Sequence, residues 1–138
     1  MKSSPSSIAL AALLLVAGTS GAADFVPADQ AFAFHLARQG SSYAVVANVR
    51  PGFALYADKL TIHGEGTGPI EAALPPADVI DDPAEGTTRV YLTPVAVPLR
   101  FLTPTGRPSA GAILVRYQGC QIDQVCYPPR TVALNVWG

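Results

Sequence analysis

The sequence predicts an all-β chain, folded as a sandwich or a barrel. Three observations carry this. Apolar residues recur at every second position in short runs. Thirteen prolines and twelve glycines punctuate the chain, so the runs between them have strand length. No window of twelve residues shows a helical apolar stripe with caps at its ends. Alternation bounded by turn signals every eight to twelve residues is the signature of half-buried antiparallel strands.

The first run is "AFAFHL", with Phe32, Phe34 and Leu36 on one face. Its alanine-rich surroundings, "ADQAFAFHLARQG", tolerate helix. However, the three large apolar residues sit two apart rather than three or four, which favours a strand. "SYAVVANV" is rich in β-branched residues and follows as a second strand. "GFALYADKLTIHG" reads as a strand broken near Asp58. "TTRVYLTPVAVPLRFL" places Val95, Val97, Leu99 and Phe101 at period two. Proline cannot donate to a sheet ladder, so Pro94 and Pro98 predict that this strand is an edge or is interrupted. "GAILVRY" and "RTVALNVW" complete the set. "GEGTGP" (64–69) and "PPADVIDDPAEG" (75–86) read as the two long surface loops.

The N-terminus reads differently. Lys2 precedes a ten-residue apolar run, Ile8 to Ala17, and then "GTSGAA". A charged start, a short apolar stretch and small residues at −3 and −1 make a secretory signal peptide, cleaved before Ala23 or Asp24. The run is short for a membrane span, which takes about 20 residues. The expected organisation is a signal peptide over 1–22 and one domain over 23–138, soluble once released. Without Lys2, eight basic side chains face ten acidic ones, and no Lys/Arg cluster exists. That composition argues against a nucleic-acid partner. Export puts the cysteines in a compartment where disulfides persist.

Cys120 and Cys126, the only cysteines, lie in "YQGCQIDQVCYPPR". If "GAILVRYQGC" is one strand and "CYPPRTVALNVW" the next, the two face each other across the mouth of a hairpin. Opposed residues of a non-hydrogen-bonded pair lie about 4.5 Å apart at Cα, within the range a disulfide accepts. Three readings follow. A structural staple would close a seven-residue loop and contribute roughly 2.4 kcal/mol, against about 4.7 for a loop of a hundred. A metal clamp needs further soft ligands, and only His35 and His63 are available, both distant in sequence. A dithiol that cycles must be able to bond, be open to attack and be reducible by its partners. Spacing alone leaves these open. Tyr-Pro-Pro after Cys126 cannot continue a regular ladder, so that edge should be open, with Cys120 deeper.

"YQGC-x5-CYPP" followed by an apolar strand resembles the N-terminal periplasmic domain of the thiol:disulfide interchange protein DsbD. "FVPADQAFAF" (25–34), "PGFALYADKLTI" (51–62) and "LPPADVIDDPAEGTTRVY" (74–91) are similar to further segments of that family, in the same order. The resemblance implies an all-β, immunoglobulin-like β-sandwich. It implies that Cys120 and Cys126 are the redox pair, with Cys126 forming the mixed disulfide with partners and Cys120 resolving it. It implies a component of a protein-disulfide reductase system with no cofactor and no metal. The implied partners are thioredoxin-like periplasmic proteins and a membrane electron conduit, here supplied in trans because the chain stops after the sandwich.

The family also has a cap loop whose aromatic residue covers the disulfide. The matching segment is Asp81 to Gly86, where Asp82 keeps a family acid and the aromatic position falls at Ala84. Tyr56 matches a family tyrosine near the cysteines, and Tyr127 follows the second cysteine. Rim packing of a sandwich accounts for both tyrosines equally well. The rival to the redox reading is a non-catalytic Ig-like binding or assembly module with a structural hairpin disulfide.

Overall fold

The structure is a computed structural model, and it describes residues 25–83 and 85–137. The expected signal peptide therefore lies outside the described residues. Pro27 opens a single helical turn, α1 (Ala28–Ala31), its carbonyl accepting from Gln30 and Ala31. The chain then turns extended at Phe32, where the period-two apolar pattern begins.

Eleven strands follow among the described residues. They are β1 (Phe32–Gln39), β2 (Ser42–Val49), β3 (Phe53–Tyr56), β4 (Thr61–Glu65), β5 (Ile70–Ala72), β6 (Asp78–Asp82), β7 (Gly86–Tyr91), β8 (Val95–Phe101), β9 (Gly111–Tyr117), β10 (Gly119–Gln121) and β11 (Arg130–Val136). Every strand pair is antiparallel. One sheet has the order β1-β2-β8-β5. Opposite it lie β10-β3-β7-β6 and β11-β9-β4. These two pieces join end to end, because a 3-10 turn at Ala57–Lys59 links β3 to β4 and the Tyr56 N–H donates to the Gln118 carbonyl between β9 and β10. Phe32, Val45 and Val97 from the first sheet meet Leu55, Ile113 and Val115 from the second in one buried cluster. The break near Asp58 is the 3-10 turn, as the residues suggested.

One expectation holds over part of a strand, and one is corrected. The strand through Val95 and Val97 is not interrupted, and over those residues it is an edge: β8 pairs with β2 from Val95 to Leu99 but with β5 only from Leu99 to Phe101. Pro94 precedes it. Pro98 accepts from the Ala73 N–H, and a residue's N–H and C=O point to the same side of an antiparallel strand. Its missing donor faces the same side, so Ala73 gets no return bond and the pairing with β5 stops at Ala72. The correction concerns 75–86. Asp78–Asp82 is β6, paired with β7 from Asp78↔Val90 to Asp82↔Gly86. Its charges mark an edge strand protected against further pairing rather than a loop.

Gly119, next to Cys120, is wedged between Phe32 of the first sheet and β3 of the second. A Cβ there would lie 2.3 Å from the Phe32 ring and 2.6 Å from the Ala54 carbonyl oxygen. The backbone oxygen cannot yield without breaking the β10–β3 pairing. Gly119→Ala should therefore destabilise the domain by about 1–3 kcal/mol, read as a lower urea midpoint at unchanged slope; an unchanged midpoint would show that Phe32 and β3 move apart freely.

Candidate functional site

The disulfide joins Cys120 to Cys126, with Cα atoms 3.9 Å apart. The two are opposed in an isolated antiparallel bridge. Flanking bonds run from Gln121 N–H to Val125 O (2.7 Å) and from Tyr127 N–H to Gly119 O (2.9 Å). The cysteines thus form a non-hydrogen-bonded pair, the closer of the two antiparallel geometries.

The route to this pair differs from one continuous hairpin. β9 pairs with β11 as far as Tyr117↔Arg130. From there to the cysteine bridge, two residues on one side (118 and 119) face three on the other (127 to 129). Pro128 and Pro129 supply the extra residue. Neither has an N–H, so the ladder bulges there. Past the bulge, β10 leaves β11 and pairs with β3, placing Cys120 opposite Ala54.

Cys120 is 5 % exposed, whereas Cys126 lies open to solvent. The disulfide floors a cavity of about 320 Å³, lined also by Ala54, Ile80, Asp82, Pro83 and Ile122. Ile122 in its lining and Val125 next to Cys126 leave large parts of their side chains uncovered. The turn between the cysteines is fixed by the Ile122 N–H to Gly52 O bond and by Asp123 in the left-handed region at φ 60°.

Tyr56 and Asp82 are brought to the sulfurs. The buried Tyr56 hydroxyl donates to Asp82 Oδ2 at 2.7 Å and lies 2.8 Å from Cys120 Sγ and 3.7 Å from Cys126 Sγ. Asp82 Oδ1 accepts from the Glu85 N–H at 3.2 Å. Burial, then the bond to Asp82 and its charge, push the Tyr56 phenol well above its ordinary range. It is therefore neutral across the physiological range. With its one hydrogen given to Asp82, its oxygen is left to accept from a Cys120 thiol once the disulfide is reduced.

Tyr127 is placed elsewhere. Its ring enters the core, nearly parallel to Phe53 and edge-on to Phe32, and its hydroxyl donates to the Val26 carbonyl. It anchors the residue after Cys126 and does not line the cavity. Ala84, the expected aromatic position of a cap, lies outside the described residues. The flanking residues Asp82 and Gly86 close the β6–β7 hairpin beside the disulfide. His35 and His63 are both exposed, on β1 and β4. Sequence reasoning missed Lys59, whose ammonium sits 5.3 Å from the Tyr56 ring centre and pairs with Glu85 at 3.0 Å. It also missed Ala54 and Ile80, whose apolar character alone does not distinguish them from core.

A family model for the thiol:disulfide interchange protein DsbD, N-terminal, matches residues 22–136. The chain belongs to the DsbD N-terminal domain family. DsbD of Vibrio cholerae is 35 % identical over 112 residues, covering 81 % of this chain and 18 % of that protein. DsbD of Escherichia coli K12 is 33 % identical over 112 residues, covering 80 % and 19 %. The chain thus spans about a fifth of the length of these curated relatives. Among solved structures, the reduced DsbD N-terminal domain of Neisseria meningitidis superposes with TM-score 0.71 at 24 % identity, over 86 % of this chain and 94 % of that one. The same domain in complex with the PilB N-terminal domain gives 0.68 at 22 % identity, over 83 % and 89 %. The all-β, immunoglobulin-like sandwich is the fold of this family.

The Tyr56 phenol gives a pH signature. A group whose pKa is raised on folding contributes stability that is complete below its unfolded value, about 10 for tyrosine, and is lost as pH rises through the folded one. Unfolding in urea should therefore become easier above about pH 10. Tyr56→Phe should lose less stability over that range than the parent; parallel curves would mean that the phenol is not held neutral by its surroundings.

Proposed function

We propose that this domain is a periplasmic thiol-disulfide exchange module, relaying reducing equivalents through Cys120 and Cys126. The donor is a membrane-embedded or thioredoxin-like protein, and the acceptors are thioredoxin-like periplasmic partners. One observation carries the reading: an exposed sulfur, Cys126, is bonded to a buried one, Cys120, on an open apolar rim. Family membership supports it, as does the PilB complex of the Neisseria domain.

In the reduced domain the Cys126 thiolate attacks a sulfur of the partner's disulfide. A Cys126–partner bond forms, and one partner thiolate leaves. The Cys120 thiolate then attacks Cys126 Sγ, forming the intramolecular disulfide and releasing the second partner thiolate. Two electrons pass to the partner, and the leaving thiolates take up two protons in all. The reverse sequence with a donor dithiol restores the reduced domain. Cys126 is the entry point because attack needs an approach in line with the breaking bond, and only its side of the disulfide is open. Cys120 already lies against it, so resolution needs no rearrangement of the strands.

A structural staple is a poorer account. Closing seven residues contributes roughly 2.4 kcal/mol, and the ends of that loop are already held by the β10–β3 pairing and by the bonds of Gln121 and Tyr127. Trapping separates the two. Cys120→Ser should leave Cys126 able to accumulate a mixed disulfide with a thioredoxin-like protein, and Cys126→Ser should trap little. Equal yields would remove the assigned asymmetry. No adduct from either, together with resistance to glutathione below about −300 mV, would establish the staple.

The β6–β7 hairpin tip supplies a second check. Its expected cap position carries Ala84, a side chain with little area to cover the sulfurs. Ala84→Phe should slow alkylation of the reduced cysteines, since a buried Phe contributes about 1.5–3 kcal/mol toward closure. Unchanged alkylation would show that this tip does not gate the disulfide.

A further inference from the structure

A second cavity, of about 520 Å³, lies between the β1–β2 turn, the segment after β8 and the end of β11. β1 starts at Phe32, beside Gly119 and the disulfide, and reaches this turn eight residues later. At about 3.3 Å per residue, the cavity is roughly 25 Å from the redox end. Nothing in the exchange chemistry uses it.

Two arginines and two aromatic rings meet in it. Arg38, Arg107 and Trp137 line it, with Tyr43 and Ser41. Three other exposed cations have carboxylate partners, Lys59 with Glu85, Arg89 with Asp58 and Arg100 with Glu71, whereas Arg50, Arg116 and Arg130 stand singly outside the cleft. Among the described residues, neither Arg38 nor Arg107 has a carboxylate partner. In a chain of net charge −1, two uncompensated guanidiniums in one cleft are a local excess of positive charge.

The cleft is also preorganised. Gly40, at φ 63°, and Ser41 form a two-residue turn that sets Arg38 directly across from Tyr43. The Arg38 Nε–H donates to the Gly40 carbonyl at 3.0 Å, and its guanidinium carbon sits 5.5 Å from the Tyr43 ring centre. Tyr43 is held edge-on by Phe101, with centroids 5.3 Å apart. One of the five guanidinium N–H groups is thus used for positioning, which leaves the terminal amines of Arg38 for a ligand. Arg107 follows a turn closed by the Thr103 hydroxyl on its own carbonyl, and its guanidinium has no described partner. Trp137 is 78 % exposed, the most uncovered of the large apolar side chains.

We infer that this cleft is a second ligand site, and that its ligand is a small organic anion with a planar apolar body, such as an aromatic phosphate or carboxylate. The guanidiniums take the anionic group through charge-assisted bonds. The Trp137 and Tyr43 rings take the flat part. The volume falls in the range of small-molecule sites, about 300–1,000 Å³.

Trp137 is the only tryptophan, so its fluorescence reports on this site alone. Phenyl phosphate, titrated into the oxidised protein, should change that emission saturably. Inorganic phosphate and benzyl alcohol at equal concentration should not, because each offers half of the recognition. Arg107→Gln should weaken phenyl phosphate by roughly tenfold or more, as loss of a charge-assisted contact does, while thermal unfolding and thiol exchange stay unchanged. A response as strong with inorganic phosphate would reduce the site to a plain cationic patch and overturn the proposed class. A response to phosphatidylglycerol vesicles, with none to phenyl phosphate, would make this end a membrane contact and overturn it too. No response in any arm, or one indifferent to Arg107→Gln, would leave two solvated arginines and no site. Since exchange at Cys120 and Cys126 is measured separately, failure here leaves the redox reading untouched.

Discussion

Strand β10 is gripped from both sides. Gly119, Cys120 and Gln121 pair with Leu55, Ala54 and Phe53, and Cys120 meets Cys126 across the other edge. This double pairing requires the chain to leave β11 after Tyr117, which the Pro128–Pro129 bulge permits. It requires β3 to have parted from β4, which the 3-10 turn at Ala57–Lys59 provides. It requires β10 to lie against the Phe32 ring, which only a residue without a side chain at 119 allows. Each of these is a local break in regular β-structure. Together they bury one sulfur of the pair and leave the other in the open.

The same geometry brings Tyr56 and Asp82 to the disulfide. Tyr56 ends β3, one residue from the position opposite Gly119, and its N–H reaches Gln118. Its hydroxyl therefore arrives under Cys120 as a consequence of the strand pairing. Asp82 ends β6, one strand beyond β7, and is held by the hairpin to Gly86. A backbone register thus sets distances of 2.7 and 2.8 Å between side chains that are 26 and 64 residues apart in sequence.

Much of this is legible in the sequence, for identifiable reasons. Period-two patterning places β1, β2, β9 and β11 almost residue for residue, because each buries one face and alternation is then unavoidable. It fails at β6. "DVIDD" carries three acids on an edge strand, where negative charge is protective rather than disruptive. Pro98 obeys the edge rule locally, because β5 pairs only beyond it, but that β8 regains a second neighbour at Leu99 is not written in β8 itself. Tyr56 and Asp82 come from the family resemblance, and the structure brings both to the sulfurs. Tyr127 shows the limit of adjacency: it follows Cys126 directly, but the alternation turns its ring inward.

The surroundings of the sulfurs decide what kind of reactivity the pair can have. A low thiol pKa needs nearby positive charge or a helix N-terminus. Among the residues lining the disulfide cavity there is no lysine or arginine, while Asp81, Asp82 and Asp123 are all there. Carboxylates disfavour a neighbouring thiolate, and a neutral phenol offers at most one hydrogen bond. The cavity lining thus supplies no positive charge of its own to stabilise a thiolate. In the proposed exchange, activation would arise in the encounter, when a partner covers Ile122 and Val125, expels water and contributes its own field. A shared electrostatic burden of this kind suits a relay. In the proposed exchange, selectivity would then come from the fit of two surfaces and not from the intrinsic chemistry of Cys126.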